Sequence, residues 1–432
     1  MVRGIVVAAL AVACSPPPTA IHADAGRCTG GTITPPGCDY EIRTGCGATE
    51  PVLPGDPAVI GADPMPIQVH LGIAGEPTTS MVVTWRTSDD ETVAGEVEVD
   101  GRRVAGVTWQ YTDFGGTWYR VHEAHLCGLQ PDTVYDYRVH SGASASERYS
   151  FRTASPDPDD EVVIVALGDS RGDASVYGAL LAKADELAAP DLILYTGDAV
   201  NYGTNQDAWD AFLEAGGAVL SRIPTLAAVG NHEEGNIAFF SLWALPGDEQ
   251  WYEVDYGAAH IMVLDDSNLL FADVDGRGEM FLRDRLPEVP AEQWKLAVHH
   301  KPVYSAPGNH GSTARLRETW APLFDEHGVD LVLSGHDHKY ERSYPMRAGV
   351  RDDDDGTVYV VSGGAGAPLY SANEAEWTAA TVAASHFVLL RVRPTSMAAT
   401  VYDDLGTVLD EFTLSKVEGS KGTRSRLVGA EN

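Results

Sequence analysis

The run EVVIVALGD, residues 161–169, decides how the second half of this chain is read. An unbroken apolar stretch of this length fits a strand buried on both faces, and it ends at Gly168-Asp169. The same pattern returns downstream. LILYT precedes Gly197-Asp198, and TLAAV precedes Gly230-Asn231-His232-Glu233. KLAV runs into His299-His300-Lys301-Pro302, and LVLS into Gly335-His336-Asp337-His338. In a sheet of such strands the Asp, Asn and His side chains gather at one edge, where open α/β sheets place their ligand sites. Carboxylates, an amide and imidazoles collected there have the make-up of a two-metal site.

Working outward, Val176, Leu180, Ala184 and Leu187 share one face of a helix after the first strand, and Trp209, Phe212 and Leu213 mark a second helix. Further helical stretches are expected near 277–286 and 313–327. HIMVLD, TVYVVS and HFVLLRV read as strands, and AATVYDDLGTVLDEF as a hairpin turning at Asp404-Leu405-Gly406. Strands alternating with helices predict an α/β layered sandwich over 161–416. Residues 417–432 are polar and read as a frayed tail.

Upstream, a Ser/Pro/Asp linker at 154–160 sets off an all-β region, 63–154. SMVVTW, GEVEVD and TVYDYRV alternate apolar and polar residues between turn signals, which predicts a sandwich. LQPDTVYDY, Leu129 to Tyr137, resembles the late strands of fibronectin type III domains. His122 and His125 read as ordinary strand residues. Residues 26–62 form a Pro/Gly/Cys-rich linker, with a disulfide-stapled knob expected near Cys28 to Cys46.

Residues 1–25 hold one Arg and then IVVAALAVA, too short a run to span a bilayer. They fit an export signal. The small residues before Cys14 resemble a bacterial lipoprotein box, although Ala11 stands where that box prefers Leu; cleavage between Ala20 and Ala25 is the alternative. Setting Cys14 aside as a lipid anchor leaves Cys28, Cys38, Cys46 and Cys127, an even number that reads as two disulfides of open pairing. The expected location is bacterial periplasm, outer membrane or medium. A formal charge of −33 argues against nucleic acid as a partner. It leaves a small phosphorylated substrate open, because bound metal dominates the local field. Oligomeric state is not legible.

The ordered motifs resemble the calcineurin-like metallophosphoesterases, and among them the purple acid phosphatases, over roughly residues 65–415. The resemblance implies a four-layer αββα sandwich behind a fibronectin type III-like domain, holding two metals. It implies that Asp169 and His338 bind the first metal, that Asp198 bridges, and that Asn231, His300 and His336 bind the second. His232 and His310 would contact phosphate and move protons. Glu341 and Arg342 would support the ligands.

Two departures matter. Where purple acid phosphatases carry a Tyr three residues after the bridging Asp, this chain has Asn201, with Tyr202 next. Where other members carry a His two residues after the first Asp, it has Arg171. The first metal thus lacks its usual extra ligand, which leaves the position to Asn201 or water, and Arg171 to substrate phosphate or a structural ion pair. Iron–zinc, di-zinc and manganese-containing pairs stay open, and no ferric–tyrosinate colour is expected. The implied reaction is phosphomonoester hydrolysis by a metal-bound hydroxide attacking in line. A phosphodiesterase or nucleotidase on the same centre is the alternative, and a non-catalytic surface binding protein the third reading.

Overall fold

The computed structural model describes residues 32–43, 64–87, 95–112, 118–233, 237–267, 274–419 and 422–428. The export segment, Cys14, Cys28 and Cys46 lie outside these residues.

Two large sheets stack face to face. Strands Val162–Leu167, Leu192–Tyr195 and Thr225–Ala227 pair in parallel in one sheet. His386–Arg393 runs antiparallel on the other flank of Val162–Leu167 and leads to Ser396–Asp403 and Val408–Gly419. The second sheet centres on Ala259–Val263, Trp294–Val298, Leu331–Ser334 and Val358–Ser362, all parallel. Its strands are apolar on both faces, and each face has its own partner. Ile261, Val263, Leu296, Val298, Leu331 and Leu333 point into the core between the sheets. Met262, Ala297, Val332 and Tyr359 alternate to the other side and pack with Leu282, Leu316, Leu323 and Phe324 of the covering helices. Helices Ala174–Ala188 and Gln206–Leu220 cover the first sheet. The layers are therefore helix, sheet, sheet, helix.

The helix after the first strand buries Tyr177, Leu180, Leu181 and Ala184, whereas Leu187 is exposed. The buried stripe is thus rotated from the expected one, because Tyr177 stacks on Phe212 of the neighbouring helix. The expected helix at 313–327 is two pieces, Ala314–Thr319 and Ala321–His327, with Pro322 starting the second. The tail is a correction as well. Val408–Gly419 continues past 416 and pairs with a further strand, Gly422–Val428, whose Leu427 opposes Leu414.

The β-region ahead of the linker is a sandwich whose Val97, Tyr137, Val139 and Trp85 share one core. One of its sheets, with strands Pro66–Gly72 and Ser80–Thr87, is spliced into the first large sheet, where Gly72 pairs with Thr225. Gly72 suits this seam, since a Cβ there would meet the Ala244 carbonyl oxygen at 2.4 Å. The Tyr137 hydroxyl donates to the Ser221 carbonyl at 2.6 Å, and Arg86 pairs with Asp210 across the same boundary. Rather than closing a knob on itself, Cys38 bonds Cys127 and ties the upstream segment to the sandwich. Tyr40 follows it in, donating to His125 Nδ1 at 2.7 Å. His125 and His122 are buried strand residues.

Candidate metal centre

Asp169, Asp198 and His336 each follow a glycine at a strand end, and each has left-handed backbone, with φ of 60°, 60° and 69°. Such φ values are rare outside Gly and cluster at functional sites. Here they hook each side chain back over the sheet edge. Glycines leave the room: a Cβ on Gly335 would lie 2.2 Å from Asp169 Oδ2, and one on Gly230, ahead of Asn231, 2.3 Å from Asp198 Oδ1.

The hooks bring the predicted residues together. Ligand atoms of Asp198, His300 and His336 lie within 4.8 Å of one another. His300 Nε2 is 3.3 Å from Asp198 Oδ1, 3.0 Å from Asn231 Oδ1 and 3.2 Å from His336 Nδ1. Its other nitrogen, Nδ1, is 2.9 Å from the Thr196 carbonyl, which can only accept, so Nδ1 carries the proton. In the neutral ring Nε2 is then a bare lone pair facing carboxylate and amide oxygens. That arrangement repels itself unless a cation sits among the atoms, and it fits a metal. Without one the ring takes a proton: burial lowers the His300 pKa, but Asp198 outweighs burial and lifts it to about 9. Burial also acts on Asp198, pushing it up, yet the charge and hydrogen bond of His300 hold it well below the carboxylate range. His336 is driven far down by burial and by His300.

The other half of the pocket holds Asp169 and His338. His338 Nδ1 donates to the Pro368 carbonyl at 2.8 Å, so its Nε2 is the free nitrogen, 3.6 Å from Asp169 Oδ1. Asp169 Oδ2 accepts the His336 amide at 2.8 Å, while the buried Oδ1 has no hydrogen-bond partner. Burial raises the Asp169 pKa well above normal, and burial with Arg171 nearby lowers His338 to about 4. Arg171 reaches this half: it lies 3.3 Å from Asp198, 3.2 Å from Asn201 Oδ1 and 3.2 Å from His338 Nε2.

His232 donates from Nδ1 to the Asn201 carbonyl at 2.8 Å, which leaves Nε2 4.0 Å from Asp198 Oδ2. The His310 ring lies 4.0 Å from that of His336. Glu341 accepts from the Ala306 amide and Ser305 hydroxyl, and so pins the start of the loop that carries His310. Tyr202 is exposed beside Asn201. Arg342 is not drawn into the pocket; it pairs with Asp410 and joins the two sheets. His299 turns from the pocket to Asp266, at 3.0 Å, and to the Trp320 ring.

Sequence reasoning passed over four residues. Glu233 takes backbone N–H bonds from Asp198, Ala199, Val200 and Gly230, binding two ligand loops with one carboxylate. Burial and Asp198 raise its pKa to about 7. Asp266 accepts from the His300 and Lys301 amides, and Asp337 from those of His310 and Gly311. Both acids end or follow apolar strands, a signal the sequence did carry. Tyr370 stacks on His338 with ring centres 4.1 Å apart, and nothing in its loop announced that.

This architecture defines a metallophosphoesterase. Residues 162–340 match the calcineurin-like phosphoesterase family, and 66–153 match the N-terminal domain of purple acid phosphatases. An uncharacterised Mycobacterium tuberculosis protein is 27% identical over 88% of this chain and 94% of its own. Acid phosphatase type 7 of Mus musculus is 28% identical over 68% of this chain and 75% of its own. A purple acid phosphatase from yellow lupin (Lupinus luteus) seeds has the same fold, with TM-score 0.72 and 19% identity over 82% of this chain and 75% of that one. The chain belongs to the calcineurin-like metallophosphoesterases in their purple acid phosphatase-like form, and is a phosphatase-type hydrolase.

Proposed function

We propose that this protein is an exported phosphomonoesterase working with two metal ions. The observation that carries the reading is His300 Nε2 turned onto Asp198 Oδ1, Asn231 Oδ1 and His336 Nδ1, a cluster of acceptor atoms that a cation fits. In this reading Asp198, Asn231, His300 and His336 hold one ion, and Asp169, Asp198 and His338 the other. The imidazole-rich donor set suits zinc and iron, with manganese the further option. When bound, the metals supply Lewis acidity to phosphoryl oxygens and acidify water at neutral pH.

The chain's own residues do the rest. Asp198, held in its hook by the His232 amide and flanked by Glu233, fixes the spacing of the two halves. His232 has Nδ1 spent on a carbonyl and presents Nε2 to the pocket, where it would donate to a phosphoryl oxygen once that nitrogen also holds a proton. His310, on a loop tied down by Asp337 and Glu341, stands ready to protonate the leaving alkoxide. The cystine at Cys38–Cys127 supports export, since such bonds persist in oxidising compartments. The segment 1–25 and a lipid anchor at Cys14 belong to the same proposal.

The test is metal-dependent release of phosphate from p-nitrophenyl phosphate by the metal-loaded protein, expected to vanish in Asp198→Ala. Faster turnover of bis-p-nitrophenyl phosphate would instead make it a diesterase. No turnover of either ester, with metals loaded, would defeat the reading.

A further inference from the structure

Arg171 occupies the Asp169–His338 half of the pocket in the manner of an ion. Its side chain is 15% exposed. Nε lies 3.3 Å from Asp198 Oδ2, Nη1 donates to Asn201 Oδ1 at 3.2 Å, and Nη2 lies 3.2 Å from His338 Nε2. Since His338 Nδ1 is the protonated nitrogen, Nη2 donates to the Nε2 lone pair. One guanidinium thus faces three donor atoms that would otherwise face a metal, hydrogen-bonding two and pairing by charge with the third. In the other half no Arg or Lys among the described residues lies against the donor atoms: His300 Nε2, Asn231 Oδ1 and Asp198 Oδ1 face one another.

We propose that Arg171 is a built-in cation which a metal must displace, so that the two ions load unequally. The Asp198–Asn231–His300–His336 half fills first and tightly, and the Asp169–His338 half second and weakly. The inference rests on the two-ion reading above. Guanidinium stays charged at any working pH. An ion entering beside it meets repulsion and must break the ion pair with Asp198 and the hydrogen bond to His338. Asp169 Oδ1, buried and unpartnered, is the one donor atom of this half that Arg171 leaves free, and so the foothold for the second ion. Because Arg171 is partly exposed, it can turn to the pocket mouth once displaced. An anionic substrate that held it there would tighten the second ion, a coupling between anion and metal.

Calorimetric titration of the metal-free protein with Zn²⁺ tests this, with bound zinc counted by elemental analysis. Wild type is expected to show two steps separated by roughly a hundredfold in affinity. Arg171→Ala and the bulkier Arg171→Gln are expected to leave the first step unchanged and tighten the second by roughly tenfold or more, the worth of one or two charge-assisted hydrogen bonds. One ion in wild type and two in the variants would support the proposal equally. Two equal steps in wild type, or a second step that neither variant alters, would overturn it. Failure of all three proteins to take up zinc would instead overturn the metal centre itself.

Discussion

Glu233 shows how much one carboxylate can organise. Each of its oxygens takes two backbone N–H groups, and these belong to the loops carrying Asp198 and Asn231. An amide cannot do this, because its NH₂ would face two N–H donors. Glu233→Gln is therefore expected to cost about 2–4 kcal/mol in urea unfolding and to weaken metal retention, although the side chain keeps its shape. A second residue has a pH signature far from the pocket. His260 is buried, 2.8 Å from Asp255 and 3.4 Å from Glu253. Burial lowers its pKa, but the two carboxylates outweigh burial and raise it to about 8. A raised histidine stabilises the fold fully below about pH 6.5, and the benefit fades as pH rises through about 8. His260→Gln should thus lose about 1–2 kcal/mol near pH 6, reduced by the exposure of Asp255, and little near pH 9.5. Urea melts at the two pH values measure the difference.

At the level of strands and loops, the pocket depends on glycines that let backbone pass close to the Asp169 and Asp198 carboxylates. Gly335→Ala would force a methyl group to 2.2 Å from Asp169 Oδ2. The expected result is unchanged far-UV circular dichroism with loss of metal uptake, since the strand Leu331–Ser334 ends before the hook. Much of this was legible in the sequence. Each apolar run is a buried strand, and Asp169, Asp198, Asn231, His300, His336 and His338 converge because the two stacked sheets bring the ends of their parallel strands together. What stayed hidden is what strand patterns cannot encode. The first helix turned its buried stripe to meet Phe212, a partner from elsewhere in the chain. Residues beyond 416 were polar enough to pass for a tail, yet their backbone pairs with an edge strand. Arg342 shares a motif with Glu341, but neighbours in a strand point to opposite faces, and it serves Asp410 instead.

For the molecule as a whole, the sandwich and the catalytic layers are one piece of construction. Their sheets join at Gly72 and Thr225, and Tyr137–Ser221 and Arg86–Asp210 brace the joint. Residues 156–432 made alone are expected to aggregate, because the Thr225–Ala227 edge and the surface under Pro66–Gly72 would be bared. Size-exclusion chromatography of the shortened chain checks this. Cys38→Ser is expected to lower stability by about 2–4 kcal/mol, read from the urea midpoint with and without reductant; an equal midpoint would mean the bond carries no load.

The seam has a further consequence. Thr225 opens the strand that runs directly into Asn231, so the pocket is wired to the sandwich by a short taut length of chain. An antibody or surface polymer that grips the sandwich and tilts it would pull on that strand and shift the amide oxygen facing His300. Catalysis would then report on whatever holds the far end of the molecule, although nothing had touched the active site.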